Sequence, residues 1–446
     1  MNRLLDTNTR YFDSETYQIP KLTNTWGCII DFLDQSLVFG SKPQVILSFE
    51  LKEDPLYPED YWYIEFTTNT LHGFKANLSV IEIKECFNED LNGVFRVQDV
   101  SKNSFSIALD KKTNPNLKIE SLSTVGMQVI TAPLGYEKSF EAPQKAVYKV
   151  ITKKDKVCYL RVDNSCPEGH DPSWAKFARV SMFETMNHID DYEYNIGRKK
   201  SPLYSEGTNR VEEDVQNVWF STRWLYDDYV NFRAVPNTGD DLFYLLGDSS
   251  TFYLHIKELR RESHGDSARD ETYIFGEYDK LQYKEDPLPF ILRSSRRQSF
   301  TSDYFTFYTD KSNLTLNSDW CNTTFNSSPN SILKINTHET FALHSEYTSG
   351  RDTKISFIPY QNELNINIFD MYLKFFRNGN TVLEGKYRGL KAILSNLKDY
   401  PEHAPKDYKV FEQNGEFFFT LRDANHYVST STRDYAKFLV NLKDWR

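Results

Sequence analysis

The sequence predicts a mainly β fold, built from several small antiparallel modules of barrel or sandwich type with few short helices. Three observations carry that expectation. Aromatic residues make up 15% of the chain, with 28 Tyr and 32 Phe, and such side chains pack well on a pleated, half-buried surface. Apolar residues recur at period two or in short runs, as in Val45-Ile46-Leu47-Ser48-Phe49-Glu50-Leu51, which places alternate side chains on one face of a strand. Turn residues punctuate those runs, Asn92-Gly93 and Gly247-Asp248-Ser249 among them; Asn-Gly suits turns that require positive φ.

At 446 residues the chain exceeds what one hydrophobic core ordinarily serves, so roughly two to four modules are expected. Residues 1–23 are polar, end near Pro20, and read as an N-terminal arm that either stays mobile or adds a strand to another subunit. Residues 24–135 read as a small β-barrel or sandwich, with strand-like runs at 45–51, 61–66, 78–83, 94–97 and 104–109. Residues 136–310 form a central β domain, with strands at 146–151, 157–162, 242–246, 251–256 and 273–275. Within it, Trp174, Phe177, Ala178, Val180 and Met182 are spaced loosely enough to suit either a short helix or an irregular strand. Residues 311–446 read as a C-terminal β domain carrying a Ser/Thr/Asn-rich insertion near 312–336. Its strands are placed at 353–358, 364–368, 371–376, 417–421 and 438–445, with a short helix at 390–397. No fixed-period repeat is visible, which argues against solenoids and propellers.

Charge narrows the partners. Lys and Arg total 53 against 63 Asp and Glu, a formal net charge of −10, whereas a nucleic-acid binder carries a basic stripe to neutralise phosphates. The densest basic runs, Arg260-Arg261 and Arg293 to Arg297, are short and interrupted, so no nucleic-acid partner is expected. Cys28, Cys86, Cys158, Cys166 and Cys321 are odd in number and irregularly spaced, which does not describe a disulfide framework. The first twenty residues lack an apolar core of the secretory kind, and no apolar run is long enough to span a bilayer. Assembly in a reducing cytoplasm without membrane insertion is therefore expected.

Few constellations suggest chemistry. Cys158, Cys166 and His170 form a C-x7-C-x3-H cluster to which His188 or Asp163 could add a fourth ligand. Structural zinc favours paired short spacings, and Pro167-Glu168-Gly169 reads more simply as a turn. His188, Asp190 and Asp191 could set an imidazole beside carboxylates, as acid–base hydrolysis requires; the plainer reading is a polar loop. Glu82-Ile83-Lys84 matches an acid-x-Lys pattern, but its place in an alternating strand points to solvent-facing charges. Phosphate loops, dinucleotide fingerprints, nucleophile elbows and paired-His metal motifs are absent from the sequence. The expectation is a non-enzyme without a cofactor. Trp174, Trp219, Trp224 and Trp445 combine a large apolar area with one polar handle, which suits core packing or interface anchoring; they are the interface candidates.

Several islands, in order along the chain, resemble a family of virion proteins of tailed bacteriophages, associated with tail or baseplate and of uncharacterised role. They begin with His72-Gly73-Phe74-Lys75, Leu91-Asn92-Gly93-Val94-Phe95-Arg96-Val97 and Phe105-Ser106-Ile107-Ala108-Leu109. Tyr159-Leu160-Arg161-Val162-Asp163, the run from Ala178 to Met186, and Ile189-Asp190 follow. Next come Leu245-Leu246-Gly247-Asp248-Ser249-Ser250-Thr251-Phe252-Tyr253 and Ile274-Phe275-Gly276-Glu277-Tyr278. Glu384-Gly385-Lys386-Tyr387-Arg388-Gly389-Leu390 and the terminal Trp445-Arg446 complete the series. Two departures stand out: Gly276-Glu277 replaces a Gly-Asp pair, and Tyr387-Arg388 stands where a Leu-Pro-like pair is usual. The resemblance implies a place in the tail, baseplate or neck of the virion, in several copies of a symmetric assembly, beside other tail or baseplate proteins. It supplies no catalytic residue. Two other functions compete with it: a receptor-recognition module whose exposed Trp and Tyr stack on host glycans, and a cell-wall or capsule hydrolase using His188, Asp190 and Asp191.

Overall fold

The computed structural model describes residues 4–14, 27–114, 117, 124–152, 155–165, 177–183, 185–191, 218–221, 242–257, 271–280, 290–294, 306–307, 367–377, 380–395, 406–422, 435–443 and 445. It is mainly β, as expected, with a single short α-helix among the described residues. Strand β1 (Arg10–Asp13) comes first, followed by α1 (Cys28–Leu33), which runs into a wide helical turn, Asp34–Phe39. The next six strands are β2 (Gln44–Glu53), β3 (Tyr61–Thr68), β4 (Val80–Lys84), β5 (Gly93–Val100), β6 (Ser104–Asp110) and β7 (Gln128–Thr131). They close into an antiparallel barrel in the order β2-β3-β6-β5-β4-β7, sealed where Gln44 and Val45 pair with Val129 and Gln128.

The barrel follows from alternation. In β3, Ile64, Phe66 and Thr68 are buried while their neighbours are half-exposed, so one face fills the interior with Ile46, Ile81, Ile107 and Val129 and the other stays wet. Phe66 and Phe105 stack at 5.1 Å across the core. His72 sits beside them as a neutral ring: its Nδ1 accepts from Phe74 N–H (3.0 Å), so Nε2 carries the proton and donates to the Ser104 carbonyl (2.9 Å). Burial holds its pKa below the usual imidazole range, in keeping with that neutral form. The Asn92-Gly93 turn differs from expectation. Asn92 has φ −81°, and its carboxamide closes the turn instead, accepting from Cys86 N–H and donating to the Cys86 carbonyl, both at 2.8 Å. The pair with positive φ at both residues is Asn414-Gly415, at 54° and 78°.

A second sheet holds β8 (Glu137–Ala142), β9 (Lys145–Ile151), β10 (Val157–Asp163), β11 (Phe177–Phe183) and β12 (Val218–Ser221), in the order β12-β11-β10-β9-β8. The ambiguous stretch after Trp174 therefore contains a strand, with Leu160 opposite Met182. The remaining strands are β13 (Leu242–Gly247), β14 (Thr251–Lys257), β15 (Glu271–Lys280), β16 (Phe290–Ser294), β17 (Thr306–Phe307), β18 (Asn367–Arg377), β19 (Asn380–Ser395), β20 (Val410–Gln413), β21 (Glu416–Arg422) and β22 (Tyr435–Asn441). With β1 they make an eleven-stranded sheet whose main path is β1-β13-β14-β15-β19-β22-β21-β20. The helix expected at 390–397 is instead the end of β19, because Leu390 to Ser395 pair with β22 and Asn367 to Asp370 pair along the other edge; a ladder on both sides overrides local propensity. The insertion near 312–336 and the strand at 353–358 lie outside the described residues.

Residues 4–14, the described part of the segment read as an arm, pack on the rest of this chain. β1 adds to the chain's own sheet, Arg10 opposite Gly247 and Asp13 opposite Tyr244, with Leu4, Tyr11 and Phe12 buried. The segment just before β1 is held by the barrel. Arg96, 2% exposed on β5, donates from Nε to the Asp6 carbonyl and from Nη2 to that of Thr9, both at 2.9 Å. Nη1 reaches the Leu78 carbonyl (2.8 Å), and Nη2 also reaches that of Leu442 (3.2 Å). Gln98, two residues on, donates to the Leu4 carbonyl at 3.0 Å. Desolvation lowers the Arg96 pKa to about 9, so the guanidinium is still charged at neutral pH. No helix among the described residues is long and apolar enough to cross a membrane.

Arg96→Ala would leave these carbonyls without their donor inside the protein. A lowering of stability by about 3 kcal/mol or more is expected in urea denaturation, and Arg96→Lys should recover only part of it, since an ammonium cannot reproduce the fork.

Candidate functional site

The densest cluster of charge in the described interior forms where β13, β14, β15 and β19 meet the C-terminus. The turn after β13 is organised by Asp248, whose Oδ1 accepts from Ser250 N (2.8 Å), Ser250 Oγ (3.0 Å) and Thr251 N (2.9 Å). Gly276 lies against this turn at φ +136°, and a Cβ there would sit 2.3 Å from the Ser250 carbonyl oxygen; only glycine permits that approach. Arg388, 4% exposed, enters between them. Its Nη1 donates to Glu277 Oε2 at 3.0 Å and to Ser250 Oγ. Nη2 lies 3.5 Å from Asp248 Oδ2, and Nε lies 3.7 Å from Asp279 Oδ1 while donating to the Trp445 carbonyl at 3.1 Å. Tyr253 hydroxyl returns a bond to the Arg388 carbonyl (2.6 Å).

Burial pushes the Glu277 carboxyl above its ordinary range, opposed by Arg388 and reinforced by Asp248 and Asp279. Trp445 closes the cluster: its indole N–H donates to the Asn441 carbonyl (2.6 Å) and its ring lies 5.3 Å from that of Tyr253. At 3% exposed it packs inside this chain, the core placement being one of the two its ring and single donor suited. Trp219 lies on β12 opposite Arg179; Trp174 and Trp224 lie outside the described residues.

Two of the hydrolase candidates, Asp190 and Asp191, make local structural bonds. Arg161, fully buried, donates to the Ile189 carbonyl (2.6 Å), Asp190 Oδ1 (3.0 Å) and Asp163 Oδ2 (3.3 Å). Lys145 adds a bond to Asp190 at 3.3 Å. Burial raises the Asp190 pKa, but the bonds from Arg161 and Lys145 outweigh it and hold the carboxyl below its usual range. Asp191 serves another end of the same turn, accepting from Asn187 N (2.9 Å) and Nδ2 (3.0 Å). His188, Asp190 and Asp191 are therefore neighbours in one turn whose two carboxylates face separate partners. Cys158 is buried in the core between β9 and α1; Cys166 and His170 lie outside the described residues. No group of three or more His, Cys, Asp or Glu among the described residues could hold a metal. Glu82 and Lys84 pair at 3.0 Å on the outer face of β4.

A shallow groove of about 340 Å³ opens on the barrel wall, lined by Gln35, Phe39, Lys42, Lys84, Gln128 and Ile130 among others. Its ionisable groups are two lysines, so it offers apolar contact and positive charge without an acid–base pair. Compared with known proteins, the chain matches no family model, no curated protein and no solved structure.

Sequence reasoning singled out neither Arg388 with Glu277 nor Arg96 as connected groups. The signal available was the order of the islands: those at 245–253, 274–278, 384–390 and the terminal Trp445 converge on the single guanidinium of Arg388.

Two measurements check this geometry. Gly389 (φ +65°) would bring a Cβ 2.4 Å from Trp445 Nε1, whereas Gly415 (φ +78°) has nothing within 4 Å. Both Gly→Ala changes cost about 1 kcal/mol for the left-handed backbone, so Gly389→Ala should lower the melting temperature well beyond Gly415→Ala. For Glu277, a raised folded-state pKa means the native protein holds the proton more tightly than the unfolded chain. Its contribution is then full below the ordinary value of 4.5 and is lost as pH rises through the folded value. The stability of the wild type minus that of Glu277→Gln should decline as pH is raised from 4.5 in urea titrations.

Proposed function

We propose that the chain is a structural component of a tailed-phage virion, in the tail, baseplate or neck, working through protein–protein contacts with other tail or baseplate proteins and with copies of itself. The observation that carries this reading is the use made of polar side chains inside the fold. Arg96, Arg161 and Arg388, each at most 4% exposed, spend their donors tying remote segments of the chain together. Asp190, one of the groups that suggested hydrolysis in the sequence, belongs to such a tie, and the large exposed apolar residues among those described are collected mostly on the barrel. Rigid modules with interlocked ends suit a part that transmits load and is held in place by neighbours. The resemblance of the ordered islands to tail-associated virion proteins points the same way.

Peptide mass spectrometry of gradient-purified phage particles tests the proposal. The chain should appear at constant stoichiometry to the major tail protein in intact particles. Its absence from particles, while present in the infected-cell lysate, overturns the reading; so does release of peptidoglycan or capsule fragments by the purified chain that Asp190→Asn abolishes. Saturable binding on a host-glycan array, lost on replacing exposed aromatic residues, would move the function to receptor recognition.

A further inference from the structure

Nine large apolar residues are conspicuously exposed among the described residues, and eight of them lie in the barrel or in the turn leading into it, Ile151 being the exception. Exposure is thus a property of one module. Strand register shows that five of the eight share a wall. Val45 on β2 pairs with Gln128 on β7, and Gln128 pairs with Lys84 on β4, so these three side chains form one outward row. Phe39 lies at one end of that row, beside Lys42, Lys84 and Gln128 in the shallow groove. Leu47 continues β2 towards the other end, where its carbonyl accepts from Thr124 Oγ1 (3.1 Å), next to Val125. Phe87 follows β4 at the same end, at 76% exposed.

These five side chains, 44% to 87% exposed, together present on the order of 500 Å² of apolar surface, at the upper end of what ordinary monomers show. With a charged rim, that approaches the roughly 800 Å² per partner of a stable interface. On the wall, Glu82 and Lys84 pair with each other at 3.0 Å; beyond that pair, exposed Lys42 stands at the Phe39 end, and exposed Glu85, Glu89 and Asp90 flank Phe87 at the other. A surface with its cation at one end and its carboxylates at the other is complementary to itself when turned about a two-fold axis.

We infer that the wall formed by β2, β7 and β4 is the contact between two copies of this chain, packed antiparallel so that Lys42 of each copy meets the Glu85–Asp90 loop of the other. The inference deepens the assembly reading by naming the partner and the face. Sedimentation velocity on the full chain reads it directly: a species of twice the chain mass is expected at micromolar concentration. Phe87→Asp with Val125→Asp should weaken dimerisation at least tenfold while leaving the melting temperature of the monomer unchanged, since both side chains face solvent. Lys42→Glu alone, and Glu89→Lys with Asp90→Lys alone, should each weaken self-association, because like charges then meet twice. Mixing those two variants should restore a heterodimer, in which both contacts are again of opposite sign.

A monomer at every concentration overturns the inference, as does a dimer indifferent to the aspartates or a mixture that fails to pair. The outcome is separable from that of the virion experiment. A monomeric chain found in particles defeats only this interface, and a dimer absent from particles defeats only the virion assignment.

Discussion

The structure depends on one buried cation. A guanidinium removed from water costs several kcal/mol unless its donors are met, and Arg96 meets that cost with carbonyls from the N-terminal segment, the barrel and the C-terminal end, residues up to 346 positions apart in sequence. The barrel therefore cannot be packed independently of the sheet. β1 is hydrogen-bonded to β13, and the residues just before it, Leu4, Asp6 and Thr9, offer their carbonyls to Gln98 and Arg96. Leu78 of the barrel joins the same hydrophobic cluster as Leu4, Tyr11 and Trp445, so apolar burial and hydrogen bonding favour the same arrangement.

The same device recurs. Arg161 ties β10 to the turn that follows β11, through Ile189 and Asp190. Arg388 ties β19 to the β13–β14 turn, to β15 and to the last residues. In each case the partners include main-chain carbonyls, which accept without carrying net charge; Arg96 is met by four of them, whereas Arg388 also faces Asp248, Glu277 and Asp279. Such clusters stabilise less than hydrophobic packing of equal volume might, but removing one member strands the others. Their effect is to specify which segments meet.

The exterior is ordered as well. Asp190 and Asp191 are held by Arg161, Lys145 and Asn187, and exposed apolar residues crowd one wall of the barrel among the described residues.

The mainly β class and five of the six barrel strands were legible in the sequence, because a period of two in apolar residues is local information that the pleat reads directly; β7 and the choice of barrel over sandwich were not. The closing of the barrel, the fate of 390–395 as strand, and the placement of residues 10–13 within the chain's own sheet were not, since each turns on a ladder partner tens to hundreds of residues away. Nothing local marked Arg96 or Arg388 as buried, for an arginine on a strand looks solvent-facing until its acceptors are known. Trp445 was legible as an anchor but not as an internal one: the sequence supplied a large ring with one donor, and only the fold decided that Gly389, Tyr253 and Asn441 would surround it. Periodicity is inherited from neighbours along the chain, whereas the satisfaction of a buried polar group is settled by whatever the tertiary structure brings alongside.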